Sequence, residues 1–349
     1  MSNPFRTLIT LEPLGFLYGS SGRFLSAENL VGQAGEHFPP DSPAVAGLIA
    51  AQLSRSEVRE LHTAGPFWWR DQELFVPAPL NLLQEKATGA VKARAVSERL
   101  VWQASADDSL LGGWSPASGK PPPVKPERGG WLPVSAWDRQ AQAKAQVHAN
   151  PWKAVPHLHP RLRDDERVSA QEEALFLELA IALEPGVALA YLSSHELPAG
   201  RYRFGGEGHL VELRCLPLPA ALVELLSRPL DGSFALVTPG LWGASRLSLR
   251  QPLERAANPA LPPRQPWHHA GQGPAILTDR PRSWRHRLGA GSDGKPRLSR
   301  GRWAVPAGSC YQVPPGLELP PWPDWPESWF PREGFSFKQL GTGLALPLP

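Results

Sequence analysis

Histidine is the side chain best suited to acid–base or metal chemistry near neutral pH, and this 349-residue chain has ten of them. Two close sets occur, His157 with His159 and His268 with His269. A zinc site would need further ligands at structured spacing, and the two cysteines, Cys215 and Cys310, lie far from both sets, so no metal site is expected. General acid–base cleavage of RNA would need an imidazole held against a ribose hydroxyl, a place His195 or His209 could take. An exposed or phosphate-facing side chain is the plainer role for both. No phosphate loop of the Walker kind is present, and Gly205-Gly206-Glu207-Gly208 lacks the spacing of a dinucleotide fingerprint. The expectation is a protein with no catalytic residue and no cofactor.

Glycine loops can do something else: a residue without a side chain lets the main chain approach a polyanion closely. One such loop contains Gly205 and Gly206, with Arg201 and Arg203 before it and His209 after it; a second contains Gly341 and Gly343, preceded by Lys338. A tight turn between strands would explain either loop equally well. Charge adds to the phosphate reading. The whole chain is only +3, from 36 basic and 33 acidic residues, but Arg201 to Arg302 holds 16 basic against 7 acidic, and Arg280 to Arg302 holds 8 against 1. Cations at that density suit phosphate, although a solvated loop could carry them too. Trp284 beside Arg285, and Trp303 beside Arg302, could stack on unpaired bases, with core packing the alternative for each tryptophan.

The elements that must position these residues are short. Forty-one prolines and 14 tryptophans argue for brief segments joined by turns, and 42% hydrophobic residues argue against a disordered scaffold. Thr7 to Leu11 suits a first strand, followed by the turn-rich Gly19 to Gly22. A helix should open at Asp41-Ser42-Pro43 with Ser42 as its cap, and Val45, Leu48, Ile49 and Leu53 should face a sheet. Gly65 to Pro79 reads as an aromatic hairpin, and strand, helix and hairpin in that order begin a ferredoxin-like unit. Residues 105–140, rich in Gly, Pro and Ser, read as a long, partly disordered insertion. From Leu175 to Leu183 the apolar residues alternate with a period of two, and Pro185-Gly186 should turn that strand into Val187 to Leu192 as a hairpin. Val211, Leu213 and Cys215 share one face of a further strand, a helix over 218–227 should close a first domain, and several short strands follow. The domain boundary is placed near residue 230. The amino terminus lacks the features of a secretory signal and no apolar stretch is long enough to span a bilayer, so a cytoplasmic protein without membrane contact is expected.

Several segments resemble, in collinear order, the family of third subunits of the Cmr effector complex of type III-B CRISPR systems, in the RAMP superfamily. They are ITLEPLGFLYGSSGRF (Ile9 to Phe24), FPPDSPAVAG (Phe38 to Gly47), VPAPLN (Val76 to Asn81), Arg167 with EALF (Glu173 to Phe176), GGEGH (Gly205 to His209), LVTPG (Leu236 to Gly240), VPAGSCY (Val305 to Tyr311) and LGTG (Leu340 to Gly343). The resemblance implies an α+β fold of two ferredoxin-like (RRM-like) RAMP modules with long loop insertions, over residues 1–230 and 231–349. It also implies a non-catalytic subunit for antiviral defence. Such a subunit binds the repeat-derived 5′ handle of the guide RNA and bridges the large polymerase-domain subunit to the RAMP backbone subunits. Carried onto this sequence, Arg23, the Arg203 to His209 loop and the Lys338 to Gly343 loop would face RNA. His209 departs from the family in standing where a basic residue is usual. The competing function is a metal-independent RAMP endoribonuclease that matures guide RNA, because the same fold hosts both; a proline-rich interaction scaffold is a third reading.

Overall fold

The computed structural model describes residues 3–18, 38–86, 91–104, 112–121, 127–139, 145–160, 175–206, 208–243, 248–254, 262–290 and 296–349. The chain opens with β1 (Thr7–Pro13), α1 (Ser42–Ala50), α2 (Arg55–Glu60), β2 (Thr63–Arg70), β3 (Glu73–Pro77) and β4 (Leu82–Gln84). Then come β5 (Ala93–Gln103), β6 (Gly113–Pro116), β7 (Trp131–Pro133), β8 (Gln146–His148), β9 (Trp152–Pro160), β10 (Leu175–Leu183), β11 (Ala188–Ser193), β12 (Gly200–Phe204), β13 (His209–Pro217) and α3 (Ala220–Ser227). All of these strands except β9 and β10 lie in one sheet of 11 strands, whose main path runs β12-β13-β1-β11-β2-β3-β7-β8-β5-β4.

At its centre β1 is flanked by β11 and β13, and β11 by β2, all antiparallel. With α1 crossing from β1 to β2, the order β13-β1-β11-β2 is the 4-1-3-2 order of a ferredoxin-like unit. Both faces of β1 are buried, which explains its unbroken apolar run: Ile9 and Leu11 pack with Val45, Leu48 and Ile49 of α1, while Leu8 packs with the carboxy-terminal half. Its buried hydroxyls find acceptors on β13, Thr7 in the Leu216 carbonyl at 3.0 Å and Thr10 in the Arg214 carbonyl at 3.3 Å.

The carboxy-terminal half contains β14 (Ser233–Leu236), β15 (Ala275–Leu277), β16 (Arg282–Trp284), β17 (Arg287–Ala290), β18 (Pro296–Leu298), β19 (Arg302–Ala304), β20 (Cys310–Gln312), β21 (Arg332–Glu333), β22 (Phe335–Ser336) and β23 (Ala345–Pro347). Four of them form an antiparallel sheet ordered β15-β20-β14-β23, which is again 4-1-3-2 when counted in chain order. No α-helix lies among the described residues of 231–349; apart from α3, which reaches β23 from the first half, only 3-10 turns at Trp322–Asp324 and Glu327–Trp329 cover this sheet. Proline is the reason. Pro314, Pro315, Pro320, Pro321, Pro323, Pro326 and Pro331 deny this crossover the amide donors that a helix needs. Aromatic rings fill the space instead. Trp267, fully buried, stands 5.2 to 5.4 Å from the rings of Phe234, Trp242, Tyr311 and Trp325, mostly edge to face. The molecule is therefore mostly β with few helices, and its tryptophans do the covering that the ferredoxin-like expectation assigns to helices.

Several expectations are corrected. The cap of α1 is Asp41, whose carboxylate pairs with Arg282; Ser42 sits inside the helix and shares a 2.6 Å hydrogen bond with Thr63. Leu175 to Leu183 is a strand, but β10 pairs with β9 and β11 enters the large sheet, so the two form no hairpin. The described part of the 105–140 insertion is structural: β7 pairs with β3, and Trp137 is wholly buried with its indole N–H donating to the Pro347 carbonyl at 2.7 Å. Leu222, Leu225 and Leu226 of α3 join a core that runs unbroken from Leu8, Phe67 and Val76 to Trp322 and Leu346. That helix therefore ties the halves together rather than closing the first. The aromatic hairpin forms as expected, with Trp68 opposite Phe75 and Trp69 opposite Leu74. No helix among the described residues is long and apolar enough to cross a membrane.

Candidate nucleic-acid interface

The turn between β12 and β13 projects from the edge of the large sheet. Gly205 has φ +74° and Gly208 φ +67°, left-handed values that explain glycine at these points. Arginines flank the turn on two sides. A Cβ added at Gly208 would lie 3.5 Å from a guanidinium nitrogen of Arg203, and one added at Gly206 would lie 3.6 Å from the guanidinium carbon of Arg287. Arg201, Arg203 and Arg287 are exposed, and neither Arg203 nor Arg287 has a carboxylate partner among the described residues. Two features far apart in sequence, the first glycine loop and the 280–302 basic stretch, thus converge.

A stack of rings stands beside the turn. Tyr18 lies between His209, 5.2 Å away at 29°, and His157, 6.2 Å away at 21°, and its hydroxyl hydrogen-bonds His157 Nδ1. Phe16, 42% exposed, packs 5.8 Å from His157. His209 Nε2 has no hydrogen-bond partner among the described residues. Phe16 and Tyr18 escape a sequence reading, and His157 is legible there only as one of a close pair, because residues 16–18 reach β9 and β10 through long-range contacts such as the Leu17–Ile181 bridge. Arg287 was legible only as one cation among several.

The second glycine loop and Arg302 face inward, which corrects their assignment to RNA. Lys338 is buried, its ammonium donating to the carbonyls of Pro323 at 2.9 Å and Trp325 at 2.5 Å, and burial holds its pKa below the usual lysine value. A Cβ at Gly341 would sit 2.4 Å from the Ala64 Cβ and the Thr63 carbonyl, and one at Gly343 would sit 3.0 Å from the Trp242 ring. These glycines therefore admit the protein's own β2 and Trp242. Lys338→Met should lower thermal stability, as thermal melts of the variant against the native chain would show. Arg302 is buried, pairs with Glu333 and covers the Phe337 ring at 5.2 Å. Arg23 lies outside the described residues.

His286 packs near Arg302, with its ring 5.5 Å from Phe337 and its Nδ1 buried with no hydrogen-bond partner among the described residues. Burial pushes its pKa down to about 4 from 6.5. Between those values the unfolded chain takes a proton that the folded chain refuses, so stability is intact above pH 6.5 and falls as the pH drops towards 4, by up to about 3 kcal/mol. Urea midpoints at pH 7 and pH 4.5 should show this loss in the native protein and a smaller one in His286→Gln; equal losses would refute it.

His195 lies at the opposite end of β12 from His209, its Nδ1 2.8 Å from Ser194 Oγ. Five strand residues at about 3.3 Å each keep the two imidazoles apart, so they cannot act as an acid–base pair on one phosphate. Among the described residues no group of three or more His, Cys, Asp or Glu could hold a metal ion.

The described chain is thus a mostly antiparallel β protein, built on one 11-stranded and one 4-stranded sheet with small ribbons, that exposes a basic glycine turn beside stacked rings. The chain belongs to the CRISPR-associated protein (Cas_Cmr3) family, whose pattern matches residues 16–346. No curated protein sequence matches it. Among solved structures it is similar to a chain of the type III-B Cmr-β complex bound to cognate target RNA, at 10% identity and TM-score 0.46, over 87% of this chain and 86% of that one. The same complex with target RNA and AMPPnP gives 11% identity and TM-score 0.46, over 87% and 86%. The Csm1–Csm4 cassette in complex with pppApA gives 14% and 0.34, over 89% of this chain and 99% of that one.

Proposed function

We propose that this chain is a non-catalytic subunit of a type III-B CRISPR effector that holds the 5′ handle of the guide RNA and bridges the large polymerase-domain subunit to the backbone RAMP subunits, in the cytoplasm, in antiviral defence. Its two 4-1-3-2 sheets, over residues 1–230 and 231–349, are taken as ferredoxin-like RAMP modules whose helices are largely replaced. The observation that carries the reading is the pairing of Arg203 and Arg287 across a glycine turn without acidic partners among the described residues. Each is placed to neutralise a phosphate, Gly205 and Gly206 let the main chain come close, and Arg201 adds charge from the same strand. Phe16, exposed beside the Tyr18 stack, offers a ring face for an unpaired base.

Titration of the full chain, alone and with its partner subunits, against a guide with an intact handle and one with the handle scrambled tests this. Binding should depend on the handle and on salt, and Arg203→Ala with Arg287→Ala should reduce the log–log salt slope by about 1.4, at about 0.7 per phosphate of a single strand. Binding indifferent to both changes would refute the reading. The second reading, a RAMP endoribonuclease, is weakened by His209, whose Nε2 is buried without a hydrogen-bond partner among the described residues. Cleavage at the repeat, lost in His209→Ala, would establish it.

A further inference from the structure

Trp303 on β19 is 60% exposed, more than any other large apolar side chain described, while its neighbours Arg302 and Ala304 point into the core. Lone exposed apolar residues are ordinary. The backbone of this one is tied to a segment that lines a cavity. Its backbone N–H donates to Ser248 Oγ at 3.0 Å, and the next residue, Leu249, begins one wall of an open cavity of about 310 Å³. Ile276 and Tyr311 form the apolar floor, Gln251 and Gln265 bring amides, and the exposed guanidinium of Arg250 stands at the edge with no carboxylate partner among the described residues. The cavity is braced: the Tyr311 hydroxyl donates to the Arg250 carbonyl at 2.5 Å, and the Gln251 amide contacts His268 Nε2 at 2.6 Å.

The volume sits at the lower limit of small-ligand sites, about 300 Å³, and suits one planar base. The exposed guanidinium of Arg250 suits an anionic partner, and an exposed indole beside it favours one that also carries flat rings, an unpaired nucleic acid over an acidic peptide. Ser283, directly across the ribbon from Trp303, is four residues from Arg287 at the glycine turn, about 13 Å of extended chain. We propose that Trp303 and this cavity form a second RNA contact, which takes two consecutive unpaired nucleotides, one base stacked on the indole and the next in the cavity with its phosphate on Arg250. The contact rests on the RNA-binding reading and extends it away from the glycine turn.

The probe is single-stranded guide RNA with 2-aminopurine placed at successive positions, bound to the full chain and to the complex reconstituted with its partner subunits. Fluorescence should be quenched at two adjacent positions. Trp303→Ala should relieve quenching at one of them and weaken binding about tenfold, while Trp303→Phe retains both. Ile276→Trp, which fills the cavity, should relieve quenching at the other. If neither change moves quenching or affinity while Arg203→Ala with Arg287→Ala still weakens binding, the second contact is refuted and the glycine-turn reading stands. If the native protein binds no RNA in either form, both fall. If Trp303→Ala leaves RNA binding intact but releases a partner subunit, the surface is a protein contact and the proposal is overturned.

Discussion

Trp267→Ala should cost about 3–5 kcal/mol, the range for removing a large buried ring whose surroundings relax only partly. Few sites in the molecule are so poorly placed to collapse. The ring touches Phe234 and Tyr311 on two sheet strands, Trp242 on one crossover and Trp325 on the other, so its loss opens a void bounded by four independent segments. In a helix-covered sheet a helix could shift as a unit to close such a gap. Here the described parts of the crossovers are proline-rich segments without an α-helix, held by 3-10 turns, and have no such unit to move. The measurement is the urea midpoint and slope of the variant against the native chain. Trp267→Phe, which keeps most of the ring volume, should lose much less. If the two substitutions cost the same, the rings are not acting in place of helices.

Glu333→Ala is expected to cost a similar amount, about 3–5 kcal/mol, for a different reason. The side chains of Arg302 and Glu333 are 3% and 11% exposed, so removing the carboxylate leaves a guanidinium in a desolvated site over the Phe337 ring. Glu333 also accepts the Arg300 amide at 2.9 Å, so its loss frees the turn before β19 as well. Replacing both partners, as Arg302→Met with Glu333→Leu, should recover most of the stability, because no buried charge then remains. A double-mutant cycle measured by chemical denaturation decides the matter: a double variant as unstable as the sum of the singles would show that the pair is not coupled.

The sequence by itself determined the local pieces: β1, the helix after Asp41, the aromatic hairpin with Trp68 opposite Phe75, the strand from Val211 to Cys215 and the glycine turn at 205–208. Period and turn chemistry act within a few residues, so they are readable there. Its collinear motifs also identified the Cas_Cmr3 family that the chain matches over residues 16–346. Tertiary structure alone decided which strands pair, as β10 with β9 shows, because an alternating strand is compatible with any partner that offers a free edge. It also decided which of two similar basic glycine loops meets solvent. Arg203 and Lys338 look alike in sequence, yet Lys338 is held by the Pro323 and Trp325 carbonyls in the core while Arg203 stands beside Arg287 at the surface. A lysine or glycine carries no local mark of burial. That follows from which segment packs over it, and here the packing comes from a proline-rich crossover whose Trp325 packs on Trp267 of the other crossover.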